Sequence, residues 1–243
     1  MANVENGGER RILARGMADL DGDGRDELIT VTGVTISEGG FSRDMVLLVR
    51  NGATGVTSSV RPPLNDGYPP QLTFVNLTHG TGKEILLTIP TGGSGGIVNA
   101  YVYRYLRGAP ILIFGTETFE QEHTYEVAYR DGYRVEVASL SNGLNYMIDI
   151  SQRGSAYLEQ MYNPDGTLIQ PTEGFVSPIS GIYPVDFDGD GQSELLTFQL
   201  ISGLFRADGL GYVQNILAWD GAAFALDSQY VTVFGFEPTA QAE

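Results

Sequence analysis

The 243-residue chain carries 30 acidic against 14 basic residues, a net charge of −16, and no cysteine. Such an acidic excess disfavours nucleic acid and anionic membrane surfaces as partners, and the absence of cysteine excludes disulfides and Cys–His chemistry. No run of about 18 apolar residues is present to span a bilayer, and the opening MANVENGGERR has no apolar core of the signal-peptide kind.

In chain order, alternating apolar and β-branched residues predict strands at Ile12–Ala18, Glu27–Ile36, Met45–Arg50 and Val56–Val60. A second group follows at Gln71–Val75, Glu84–Ile89, Val98–Leu106 and Ile111–Phe114. A third is expected at Tyr133–Ala138, Tyr146–Ser151, Tyr157–Tyr162 and Thr167–Ile169, and a fourth at Ile182–Val185, Glu194–Ile201, Tyr212–Trp219 and Phe224–Leu226. Tyr125–Arg130 and Gln229–Phe236 are additional strand candidates, the latter suited to pairing beside the N-terminal segment. Pro184 interrupts a predicted strand and fits only where its missing N–H faces no partner, on an edge. The expected core comprises Leu28, Val46, Leu48, Leu86, Val102, Leu158, Leu195, Phe198, Ile216 and Trp219. No long helical periodicity is present.

Between the first two strands of the outer groups lie two acidic loops, DLDGDGRDEL from Asp19 and DFDGDGQSEL from Asp186. Carboxylates stand at loop positions 1, 3, 5 and 9: Asp19, Asp21, Asp23 and Glu27, then Asp186, Asp188, Asp190 and Glu194. Alternate residues of a curled loop point inward, and the position-7 carbonyls of Arg25 and Gln192 add an oxygen each. A hard cation such as Ca²⁺ takes six to eight oxygens, so two Ca²⁺ sites are expected, moving the net charge from −16 to −12. An EF-hand needs Glu at position 12 and flanking helices. Thr30 and Thr197 occupy that position, followed by strand-like sequence. Two weaker copies begin at Asn76 (NLTHGTGKEI) and Ser139 (SLSNGLNYMI) and retain one carboxylate between them, Glu84. They are expected to bind calcium poorly.

The later strands end in glycine turns at Gly52, Gly108, Gly166 and Gly221, spaced 56, 58 and 55 residues apart. That regularity suggests one four-stranded unit per repeat. The motif D-x-D-G-D-G-x-x-[DE]-L between strands resembles the FG-GAP/VCBS repeat, the calcium-loop blade of integrin-like β-propellers. The resemblance implies an all-β, four-bladed propeller of about 56 residues per blade, one domain over residues 1–243 with units at about 11–62, 70–120, 132–172 and 180–236. It also implies adhesion or recognition of a protein or glycan. A monomer is the first expectation and paired rings the second.

Function tends to lie in loops on a rigid scaffold, so a ligand is expected on the rim opposite the acidic loops. Phe41, Arg43, Tyr68, His123, Phe205 and Arg206 are the residues predicted there. His79 and His123 have no nucleophile beside them in sequence, no G-x-S-x-G elbow occurs, and TGGSGG at Thr91–Gly96 lacks the Gly-Lys-Ser/Thr of a phosphate loop. Glu117, Glu120 and Glu122 read as a solvated link. No catalytic residue is therefore expected. A carbohydrate-active enzyme on the same scaffold and a structural surface-assembly protein are the alternatives. Calcium loops are most useful where calcium is millimolar, which favours an extracellular or cell-surface location.

Overall fold

The computed structural model describes residues 9–37 and 39–235. The fold is all-β. The first unit is an antiparallel meander of β1 (Arg10–Ala18), β2 (Glu27–Thr35), β3 (Ser42–Arg50) and β4 (Thr57–Val60). The second repeats it with β5 (Gln71–Val75), β6 (Glu84–Pro90), β7 (Val98–Leu106) and β8 (Ala109–Gly115). The fourth comprises β12 (Glu173–Val185), β13 (Glu194–Ser202), β14 (Gly209–Trp219) and β15 (Phe224–Val233). In each, a loop copy connects the first two strands, as expected.

The third unit departs from the sequence reading. It consists of β9 (Tyr125–Arg130), β10 (Arg134–Ser139) and β11 (Asn145–Asp149), so the additional candidate Tyr125–Arg130 is its first strand. The segment read as a strand at Tyr157–Tyr162 instead holds the short helix α2 (Ser155–Leu158), and Thr167–Ile169 contributes only the bridge between Tyr162 and Leu168. Tyr157, Leu158, Met161 and Tyr162 have spacings that suit one helical face as well as a strand, an ambiguity inherent to short apolar runs. The third unit also joins the fourth edge to edge. Glu173 and Gly174 of β12 pair with β9, making a seven-stranded sheet in the order β11-β10-β9-β12-β13-β14-β15.

Two further expectations change. Gln229–Val233 continues β15 alongside β14, from Trp219 opposite Phe224 to Gly211 opposite Val233, rather than joining the N-terminal segment. The eleven-residue β14 offers an edge long enough to hold it; Phe236 lies outside the described residues. The link after β8 is a helix, α1 (Thr116–Glu122), that buries Phe119. Pro184 does occupy a free edge: it pairs with Leu195 on one side, and among the described residues β9 reaches only Glu173 and Gly174 on the other.

Three apolar layers hold the units. The first places Ile29, Val31, Met45, Leu47 and Val49 against Ile85, Leu87, Ile89 and Tyr101, Tyr103 and Tyr105, uniting the first and second sheets. The second joins Leu86, Ala100, Val102 and Phe114 to Ile179, Ile182, Leu195 and Leu217, uniting the second and fourth sheets. The third layer packs Val127, Tyr129, Val135, Val137, Met161 and Tyr162 against Ile201, Leu210 and Val213. The sheets thus stack in the order first, second, fourth, with the third unit beside the fourth. A ring in chain order would instead place the third unit between the second and fourth. In the first sheet the predicted core lies on the wrong face: Leu28, Val46 and Leu48 are only half-buried, while the alternate residues fill the layer. Side chains alternate with a period of two, so choosing the wrong phase moves a whole set. Leu86, Val102, Leu195 and Ile216 are buried as expected; Leu158, Phe198 and Trp219 are half-buried.

Candidate metal loops and the opposite rim

The two acidic loops fold alike. Position 1 anchors each curl: Asp19 Oδ1 and Oδ2 accept from the N–H of Gly22 (2.7 Å) and Gly24 (2.9 Å), and Asp186 does the same for Gly189 (2.7 Å) and Gly191 (3.0 Å). Gly22 and Gly189 have φ of 76° and 79°, a left-handed turn that glycine adopts without steric cost. The position-5 carboxylates accept the position-7 N–H, Arg25 to Asp23 at 2.8 Å and Gln192 to Asp190 at 2.7 Å. Position 9 reaches back to the N–H of position 2, Glu27 to Leu20 at 2.8 Å and Glu194 to Phe187 at 3.1 Å.

Within these curls, Asp19, Asp21 and Glu27 offer oxygens within 4.8 Å of one another, as do Asp186, Asp188 and Asp190. The donor sets are all oxygen, which fits a hard cation and not a soft one. The structure therefore gathers six of the ten predicted residues. Asp23 and Glu194 stand outside the clusters as hydrogen-bond acceptors, and Arg25 and Gln192 participate through their N–H groups.

In the weak copies other protein groups occupy the places of the absent carboxylates. In the second, the buried Glu84 accepts from the N–H of Leu77 (2.8 Å) and Thr78 (3.2 Å) and from the Thr78 hydroxyl, with the Arg104 guanidinium at 3.9 Å. The cationic partner is supplied by the protein. In the third, position 9 is the exposed Met147, and the turn closes through backbone bonds, Ser139 N–H to Leu144 at 2.8 Å and Gly143 N–H to Ser139 at 2.9 Å.

On the opposite rim the structure brings together Phe41 and Tyr68, edge to face at 5.5 Å, with Arg43 3.9 Å from Asp66. The Thr91–Gly96 loop lies beside them, Gly92 so close to the Tyr68 ring that no side chain would fit. Its other end reaches Arg206, next to the exposed Phe205. His123 does not join this group. It is buried, stacked on Phe119 at 4.2 Å, with Nδ1 3.0 Å from the Phe119 carbonyl, and burial lowers its proton affinity. The helix α1, unseen in the sequence, explains the misplacement.

Two polar groupings had no sequence signal because their members lie far apart in the chain. Asp208, buried, accepts from Arg153 (3.1 Å), the Tyr157 hydroxyl (2.8 Å) and the Leu204 N–H (2.9 Å), while the Tyr129 and Tyr157 hydroxyls lie 2.7 Å apart. Burial pushes the Tyr157 phenol far above its usual range. This cluster clamps α2 to the β13–β14 loop. Glu120, Ser177, Tyr125 and Gln199 line a depression beside His123; Glu120 Oε1 and Ser177 Oγ have no partner among the described residues, and burial raises the Glu120 carboxyl.

Fold and loops together define an all-β protein with two acidic loops at one rim. The segment 123–232 matches the family model described as the YybI C-terminal domain. The whole chain is similar to the uncharacterized protein YybI of Bacillus subtilis (strain 168), 38% identical over 226 residues that cover 93% of this chain and 86% of that one. The chain belongs to the YybI family. Neither comparison names an FG-GAP or VCBS repeat, so that likeness rests on the loop motif, and no solved structure matches.

Proposed function

We propose that this protein is a calcium-binding, non-catalytic recognition module of propeller-blade construction, with cations at the first and fourth loops and a protein or glycan partner on the opposite rim. The observation that carries the metal reading is the recurrence of one hydrogen-bonded curl around two separate three-carboxylate groups. Like charges so close repel unless a cation or protons offset them. Asp19, Asp21 and Glu27 would hold one ion and Asp186, Asp188 and Asp190 the other; the ions supply charge compensation to the loops and no chemistry. The exposed Phe205 and the Phe41–Tyr68 pair support the partner reading, because rigid aromatics beside glycine-rich loops give contact area at low entropic cost. An extracellular or cell-surface setting, where calcium is plentiful, accords with this reading. No helix among the described residues is long and apolar enough to cross a membrane.

Isothermal titration with CaCl₂ tests the metal reading. Two sites are expected, one remaining in Asp188→Ala and one in Asp21→Ala. Absence of binding heat and an unchanged melting temperature in EDTA would refute it. A glycan array paired with a hydrolysis assay tests the rest: binding without turnover is expected, and turnover would favour the carbohydrate-active enzyme. The structural-assembly reading gains support from the apolar faces at the two ends of the sheet stack.

A further inference from the structure

The stack of first, second and fourth sheets is a repeating arrangement that stops at both ends, and we propose that a second copy of this chain continues it, head to tail, into a closed ring of six sheets. Three features recur at each internal junction and are left unfulfilled at the ends.

The first is a backbone bond between loops. The position-8 N–H of the second loop, Lys83, donates to the position-1 carbonyl of the first, Asp19, at 3.0 Å; the position-8 N–H of the fourth loop, Ser193, donates to the position-1 carbonyl of the second, Asn76, at 2.8 Å. The remaining members of the series are the Asp26 N–H and the Asp186 carbonyl. Among the described residues neither has a partner, and both residues are exposed.

The second is the position-2 side chain. Leu20 is 3% exposed in the layer between the first and second sheets, and Leu77 is 0% exposed in the layer between the second and fourth. Phe187, the same position in the fourth loop, is 51% exposed. Its two equivalents are plugs against the next sheet in the row, and Phe187 has no next sheet.

The third is the phase of the second strand. Position 10 faces the preceding sheet, as Ile85 and Leu195 show, and position 11 the following one, as Ile29 and Leu86 show. By that rule Leu28 faces a missing predecessor and Leu196 a missing successor. Around Leu28 the outer face of the first sheet carries Val46, Leu48, Ile12 and Met17, the last two each 61% exposed. Around Leu196 the outer face of the fourth carries an aromatic ladder, Tyr183–Phe198 at 5.8 Å and Phe198–Tyr212 at 5.9 Å, with Tyr230 beside it. Repeat proteins that end alone present polar outer faces; these two instead carry apolar strips set among Thr30, Thr32, Arg15 and Arg50 on the first sheet and Gln214, Ser228 and Thr232 on the fourth.

Charge distinguishes the two faces in the sense that pairing requires. Arg15 and Arg50 lie on the first-sheet face, exposed and without an ion pair among the described residues. Asp188, Glu194 and Asp227 border the depression with Phe187 and Tyr230 on the other face. Two unlike faces make a heterologous contact, which either closes into a ring or runs on as a filament. Propellers close with four to eight blades. One copy brings three stacked sheets, so two copies give six, whereas one or three copies fall outside that range. The seam brings Asp26 of one copy towards the Asp186 loop of the other, so on the calcium reading above the pairing is strengthened by bound ions.

Sedimentation and light scattering of the full chain, with CaCl₂ and with EDTA, test this. A protomer is 26.3 kDa; a particle of about 53 kDa is expected in calcium. Phe187→Glu and Met17→Glu, on opposite faces, should each give monomers of unchanged fold by circular dichroism, and mixing the two should restore a two-chain particle through the one intact pair of faces. A 26.3-kDa particle at every concentration in calcium, growth beyond two chains, or a dimer broken by only one of the two variants would overturn the proposal. Terbium luminescence on monomeric Met17→Glu separates the two ideas. Metal binding with no wild-type dimer defeats the pairing alone; a dimer that persists in EDTA with no metal bound defeats the calcium reading alone.

Discussion

The first and fourth loops share a motif and a hydrogen-bond plan, yet they differ in what surrounds the carboxylates. In the first, Glu27 is fully buried and accepts from the N–H groups of Leu20 (2.8 Å) and Gly52 (3.1 Å) and from the Asn51 amide (3.1 Å), which also donates to Asp21 at 3.1 Å. In the fourth, Asp186, Asp188 and Asp190 are all exposed, and among the described residues Glu194 accepts from Phe187 alone. The residue matching Asn51 in its glycine turn is Asp220, which has no donor to offer and instead caps Ala222 and Ala223. A loop whose acids are held by protein donors is assembled before any ion arrives. On the calcium reading, the fourth loop, whose three clustered acids are exposed and held, among the described residues, only by backbone N–H groups, would depend on the ion more than the first.

The largest test of this contrast is removal of position 9. Glu27→Ala takes the acceptor from the buried Leu20 N–H and from the Gly52 N–H and one of the two acceptors of the Asn51 amide, and should cost about 2–4 kcal/mol, against about 1 kcal/mol for Glu194→Ala, read from urea unfolding in EDTA. Equal losses would erase the contrast. Next comes the ion itself: calcium at about 100 times its Kd stabilises by about 2.7 kcal/mol per site, roughly 5–10 °C in melting temperature for a chain of this size. Asp188→Ala should lose one site's share in calcium and almost nothing in EDTA, whereas Asp21→Ala should lose stability in both, because Asn51 is bonded to it. Asn51→Ala should then cost about 1 kcal/mol without metal and make the first loop as ion-dependent as the fourth. The smallest effect lies outside the loops. Burial holds the His123 proton affinity below the usual 6.5, so the unfolded chain takes up its proton first as pH falls. The stability due to the neutral ring is complete above 6.5 and declines as pH drops below it. Unfolding midpoints of wild type and His123→Gln across that window check the sign; a wild-type midpoint that rises as pH falls, relative to the variant, would refute it.

The second loop sharpens the same lesson. There Glu84 keeps the position-9 bond, and Arg104 with the Thr78 hydroxyl stands in for a cation. Position 9 is therefore a closure device first: it bonds position 2 in all three loops that retain it, and only Glu27 also enters a three-carboxylate cluster. The sequence pattern alone cannot separate these roles, since a carboxylate that closes a turn and one that binds an ion sit at the same spacing.

The amino-acid sequence by itself determined the positions of the strands of the first and second units and of the central strands of the fourth, the loops between them and the glycine-dependent curl, though not the nine residues before Ile182 that begin β12 or the full length of β15, because the former depend on alternation and on φ angles set within a few residues. It also placed Pro184 on an edge for a purely local reason. Tertiary structure decided the rest. It chose Ile29 over Leu28 for the core, turned Tyr157 into a helix to reach Asp208, drew His123 inside behind Phe119, and set the second sheet against the fourth. Each of these depends on which surface arrives from elsewhere in the chain, and two-residue periodicity says that a strand has two faces without saying which neighbour each will meet.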